Sequence, residues 1–320
     1  MSQLLKSRSR NSAFTLIELL VVIAIIGILV ALTSAGVMKI LSRGQTVAAR
    51  TELSQLEAAI AAAKQNFGNV DNLPSIIELY SSGPSFQAAA NATNNMTGLP
   101  SNPNARNTFN FFTKVFGKNW HASTTIPWLG SPVATASYST APKTLLGMEA
   151  LVFLLGGYAE VPTGATSPNF RGFSSNPLNP MDVNNAKYKT KGPFYEFKQK
   201  QIVSGTNYFT MLNNSGGPYA YFSSSEYSNV LLNPLPNPIG GPVYPFHKTP
   251  TGTVSAASYY NPKTFQLISS GQDKAFGLLS PNTSVTPNIP GGYYKPPYAS
   301  GSPIFDDIAN FSALQLGVGE

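Results

Sequence analysis

Residues 13–32 read AFTLIELLVVIAIIGILVAL, an apolar run interrupted by one acid, Glu18. As a helix, the stretch from Phe14 to Leu32 rises roughly 28 Å at about 1.5 Å per residue, close to one hydrocarbon thickness. An ionised side chain in that medium costs about 2.5–3.5 kcal/mol on insertion scales, so Glu18 calls for a cation. The leader before it, MSQLLKSRSRNSA, carries Lys6, Arg8 and Arg10 and no acid. By the positive-inside tendency this holds the N-terminus in the cytoplasm and sends the rest outward. A secretory signal peptide is cut after its apolar run, whereas here the small-residue junction, Ala13 to Phe14, precedes it. Cleavage there keeps the whole helix. The plainer alternative is an uncleaved signal anchor.

Residues 13–32 resemble, almost letter for letter, the class III signal of type IV pilins and type II secretion pseudopilins. The resemblance implies that a membrane-embedded prepilin peptidase cuts between Ala13 and Phe14 and methylates the new amine of Phe14. The family usually has Gly before the Phe, and this chain has Ala13. The physical reading agrees: cleavage creates an α-amino cation at Phe14 that a neighbouring subunit's Glu18 can neutralise inside a bundle of helices.

The 320 residues leave room for one large extracytoplasmic domain after the helix. Charged residues make up 11%, against about 25% in typical soluble domains. Gly, Pro, Ser, Thr and Asn dominate the remainder, a bias suited to turns. The formal charge is +7, of which Lys6, Arg8 and Arg10 contribute three; the total is weak evidence for nucleic acid, which is not expected as a partner. With no cysteine, disulfides cannot staple the exported part.

Beyond the apolar run, residues 33–67 contain no proline, and Leu53, Leu56, Ile60, Ala63 and Phe67 form one apolar stripe at helical spacing. The helix is therefore expected to continue, with 14–35 as its transmembrane and assembly part and 36–67 as its amphipathic half. Ser34 and Gly36 are poor helix formers at the junction. Turn residues at 68–72 end the helix, and 73–80 (LPSIIELY) is expected to form a short second helix. Residues 81–143 read as a loop-rich insertion around one small helix at 109–116. A helix is expected at 145–157, stopped by Gly156 and Gly157. Strand signals follow at 192–203, 217–224 and 263–271, each as a half-exposed antiparallel strand. The expected fold is α+β: a long N-terminal helix packed on a C-terminal antiparallel sheet, with 1–13 removed and 68–320 as the pilin-like globular domain.

FQLISSGQDKAFG (265–277) and FDDIANF (305–311) resemble the downstream part of major pseudopilins of the G type. That resemblance implies a calcium ion held around Ser270, Asp273, Asp306 and Asp307, with carbonyls and water completing the six to eight oxygens calcium takes. The bland reading of the same acids is turn and helix-cap chemistry. The chain has two histidines, His121 and His247, and no GxSxG, HExxH or P-loop spacing, so an enzyme is not expected. Its numerous Phe and Tyr residues are expected to be mostly core.

The sequence thus reads as a filament subunit of the inner membrane, polymerised through its N-terminal helix into a secretion pseudopilus or type IV pilus-like fibre. The resemblance implies as partners the prepilin peptidase, other copies of the chain, minor pseudopilins and an inner-membrane assembly platform. The alternative is a membrane-anchored periplasmic or surface binding protein whose long loops hold a partner, DNA or a glycan.

Overall fold

A computed structural model describes residues 16–94, 96–122, 126, 128, 142–165, 167–205, 207–227, 243, 245–248, 259–271, 273–274, 276, 292–293 and 307–312, with the backbone alone at 32–43, 247 and 292–293. Helix α1 (Leu16–Asn66) contributes to two compact units, Met1–Gln45 and Thr46–Glu320. In the first unit its described side chains, residues 16–31, are exposed throughout. Among the described residues no helix is long and apolar enough to cross a membrane. The described side chains of the apolar run fall short of the about 20 residues that a span takes. The backbone stays helical through Ser34 and Gly36.

In the second unit α1 buries the expected stripe: Leu53, Leu56, Ile60 and Ala63 face the core, and Phe67 follows the helix end. Phe67 makes edge-on contacts with Phe111, Phe116, Phe173 and Phe194. The helix ends in left-handed turn residues Gly68 and Asn69.

Residues 73–80 are not a helix. They contain β1 (Ile76–Leu79), which pairs antiparallel with β2 (Lys143–Leu146). The cause is tertiary: Glu226 accepts hydrogen bonds from the backbone of Ser75 and Ile76, which holds the chain extended, and two β-branched residues follow naturally as strand. The expected helix at 145–157 starts later, as α4 (Met148–Gly156), because Gly147 turns the chain at φ 53° between β2 and the helix. All of α4 is buried. Its stop is steric as well as conformational: Gly157 has φ +73°, and a Cβ there would lie 2.2 Å from the Gly172 backbone.

Residues 81–143 are more than a surface insertion. They hold α2 (Gly83–Asn91), capped by Ser82, and α3 (Pro103–Phe116), capped by Asn102, each with Pro in its first turn. Their Phe86, Phe112, Trp120 and Trp128 are fully buried and join the main core. Pairs of short strands follow: β3 (Ala159–Glu160) with β4 (Asn169–Phe170), and β5 (Phe173–Ser174) with β6 (Thr190–Lys191). Residues 192–203 do not form the expected strand; they run irregularly into a 3₁₀ turn (Gln199–Gln201) and then β7 (Ile202–Ser204), which pairs with β8 (Phe209–Met211).

The C-terminal sheet is antiparallel, as expected: β9 (Tyr219–Ser223), β11 (Phe265–Ser269) and β13 (Ile308–Ala309), with β11 in the middle. A separate parallel pair joins β10 (Phe246–His247) to β12 (Gly292–Tyr293). The three-stranded sheet is not half-exposed, however. Tyr219, Tyr221 and Leu267 face the core of α1 and α4, while Ala220, Phe222 and Ile268 on the other face join a second cluster with Tyr227, Val243 and Phe246. The period-2 alternation of the strand therefore separates two cores rather than core from water.

Two buried carboxylates tie these layers together. Glu52 of α1 accepts from Tyr219 Oη at 2.5 Å and Gln201 Nε2 at 2.9 Å, with Lys198 Nζ at 3.5 Å. Glu226 accepts from Ser75 N at 2.6 Å, Ser75 Oγ at 2.5 Å and Ile76 N at 3.1 Å. Burial outweighs these bonds and pushes the Glu226 carboxyl up from 4.5 to about 7. The folded state then holds a proton that the unfolded chain releases. The stability contributed is fully present below pH 4.5 and is lost as pH rises through about 7, a change of about 3 kcal/mol. Urea unfolding between pH 4.5 and 8 is expected to show this decline, and Glu226→Gln to flatten it.

Candidate functional site

The residues that the sequence marks for processing and assembly cluster at the start of α1. Ala13 and Phe14 lie outside the described residues. Glu18 stands in the first turn of α1 and is exposed. Around it, every large apolar side chain described from Leu16 to Val30 is exposed, from 46% at Val22 to 80% at Leu16. Successive residues of a helix point to all sides, so this surface is apolar all round. A folded monomer rarely leaves so large an apolar surface to water, which marks it for lipid or for other helices.

The residues expected around calcium are brought together only in part. Antiparallel pairing sets Ser269 opposite Ile308 as its last rung, and Ser270 and Asp307 lie one residue beyond it. Both side chains are fully buried, and Ser270 Oγ has no hydrogen-bond partner. Asp273 lies on an exposed turn, and Asp306 falls outside the described residues. Among the described residues no three His, Asp or Glu side chains gather as metal ligands do.

The histidines lie in separate parts of the chain. His121 packs against Phe109 and Trp120 at centroid distances of 5.0 and 5.8 Å, and His247 ends β10. The buried aromatic network of Phe67, Phe86, Phe112, Phe153, Trp120 and Trp128 accounts for much of the ring content as core.

Comparison with known proteins bears on the N-terminus. The prokaryotic N-terminal methylation motif matches residues 8–34, which takes in the Ala13 to Phe14 junction, Glu18 and the apolar run. No curated protein and no solved structure matches the chain. The chain carries a prepilin-type methylation signal, consistent with a type IV pilin-like protein. The resemblance of residues 265–311 to G-type pseudopilins has no matching relative beside it.

Two buried carboxylates, one on the stem and one at β1's entry, were not picked out from the sequence. Glu52 lies on the buried side of α1, four residues before Leu56, and is 2% exposed. An acid inside an apolar stripe is a legible signal, since a buried carboxylate needs donors. Glu226 follows β9 and carries no such mark, because its donors come from residues some 150 positions away.

Proposed function

We propose that the chain is a structural subunit of a pilus-like filament, made as a membrane-inserted precursor, cut between Ala13 and Phe14, N-methylated on Phe14 and polymerised through α1. The observation that carries this reading is the methylation motif over residues 8–34, laid on a helix whose described apolar side chains are uncovered on every side. Its precursor sits in the inner membrane with the leader cytoplasmic and the domain outside, the leader's three cations setting the orientation. The role is mechanical rather than catalytic. Moving the apolar segment from lipid into a helical bundle exchanges one apolar medium for another, so packing and the pairing of Glu18 with a neighbour's Phe14 amine select the register. Partners follow from this: the peptidase, further copies of the chain, minor subunits and the membrane assembly platform. Among such filaments we favour the type II secretion pseudopilus, on the resemblance of residues 265–311.

We further propose that Ser270 and Asp307 anchor a calcium ion, joined by Asp273 and Asp306. The orphaned Ser270 Oγ supports it, as a buried oxygen without a hydrogen-bond partner, one residue beyond the pairing of Ser269 with Ile308. Calcium takes six to eight oxygens, so backbone carbonyls and water would complete the shell.

Mass spectrometry of the membrane-extracted protein is expected to find a chain beginning at N-methyl-Phe14 when prepilin peptidase is active, and the intact leader when it is not. An intact Met1 in both cases would leave an anchored precursor and no filament pathway. Glu18→Ala is expected to insert into the membrane normally yet give no ordered filaments by electron microscopy; normal filaments would refute the pairing. Calcium is expected to raise the melting temperature of the parent and a chelator to lower it, with Ser270→Ala showing a smaller shift. A melting temperature indifferent to both reagents would remove the metal.

A further inference from the structure

The net positive charge of residues 14–320 equals that of one short stretch of sequence. Residues 187–200, KYKTKGPFYEFKQK, hold five lysines and one glutamate, a net +4. Taking Lys6, Arg8 and Arg10 of the leader from the formal +7 leaves the same +4 for residues 14–320, so outside this stretch they net zero. Lys187, Lys189 and Lys200 are exposed and Lys191 is half-buried. Among the described residues the ion pairs are Arg171 with Glu160 and Lys198 with Glu52, so these four lysines have no carboxylate within 4 Å.

Their geometry suits a linear polyanion. Lys191 lies in β6, and Lys189 extends its pairing: Ser175 N donates to Lys189 O, and Lys189 N donates to Ser175 Oγ. In an extended strand positions i and i+2 share a face about 6.6 Å apart, so Lys189 and Lys191 point the same way while Thr190 points oppositely. Lys187 Nζ sits 5.6 Å over the ring of Tyr188. Past Gly192 and Pro193 the same segment becomes the wall of a groove of about 680 Å³, where Phe194, Phe197, the exposed Glu196 and Lys198, itself paired with Glu52, face Ala58 and Ala62 of α1. Phe194 and Phe197 are half-buried there and leave ring surface in the groove.

We propose that the lysine strip of residues 187–200, with the aromatic groove that follows it, binds a single-stranded nucleic acid through its phosphates and stacks its bases. Strips of cations beside aromatic rings bind single strands without reading sequence. A second copy of this chain is a poor partner, because five of its acids, Glu52, Glu78, Glu149, Glu226 and Asp307, are buried. Lysine suits this role as a point charge for phosphate, without the bidentate geometry by which arginine reads bases. The surface does not depend on the filament reading.

The test is fluorescence anisotropy of a labelled oligothymidylate with the full chain in neutral detergent. Four lysine contacts predict a slope of log K against log salt of about −3 for a single strand. Replacing Lys187, Lys189, Lys191 and Lys200 together by Gln is expected to weaken binding at least about tenfold at low salt and bring the slope towards zero. An unchanged melting temperature of that variant certifies its fold; if it is lowered, the exposed pair Lys187→Gln and Lys189→Gln serves, with about half the loss of slope. An abasic strand of equal length is expected to bind several-fold more weakly, as stacking requires. The proposal is overturned if the variants bind as well as the parent. It is equally overturned if alginate or phosphatidylglycerol vesicles bind and the oligonucleotide does not, or if the abasic strand binds equally well.

Discussion

Glu52 fixes how the stem meets the rest of the domain. A carboxylate taken out of water is costly unless donors surround it, and removing one partner of a buried pair typically costs about 3–5 kcal/mol. Here the donors come from separate parts of the chain: Tyr219 from β9, Gln201 and Lys198 from the segment before β7. Each step of one residue turns a helix by about 100°, so only one rotation of α1 presents Glu52 to Tyr219 and Gln201 while also burying Leu53, Leu56 and Ile60. Apolar packing alone tolerates sliding; a buried acid with fixed donors does not. The position of β9 against the helix, and through β9 the division of the domain into two cores, follows from that bond.

That division explains which parts of the fold were legible. The stripe on α1 was readable because one side of that helix faces water and the other faces core. Strands β9 and β11 were readable as strands, but not as buried on both faces. Gly and Pro turns mark where a strand ends, whereas what covers its second face depends on residues far along the chain, such as Phe246 and Tyr227. Residues 73–80 show the same limit. LPSIIELY suits a helix or a strand by local pattern, and the choice falls to Glu226, roughly 150 residues away. In 81–143, the polar composition hid a core contribution because four large aromatics, Phe86, Phe112, Trp120 and Trp128, outweigh many small polar residues in buried area.

The methylation signal was legible in the sequence, for a physical reason. It is written locally, as a basic leader, an apolar run and one acid within residues 8–34, and needs no partner far along the chain. The C-terminal strand is the opposite case. Residues 308–309 join the sheet by pairing with β11, and nothing in the sequence spacing announces that pairing.

Charge shows how a total can mislead. A chain with 11% charged residues and a modest net charge looks indifferent to anions when it is averaged. Folding undoes the average: it withdraws Glu52, Glu78, Glu149, Glu226 and Asp307 into the interior and leaves lysines at the surface. The field outside the molecule is set by the charges that remain in water, since buried acids spend their potential on close partners. At physiological ionic strength that field reaches about 8 Å, roughly the separation of Lys189 and Lys191 along their strand. Neighbouring lysines there act as one source, to which an extended polyanion responds even where the sum of charges is small.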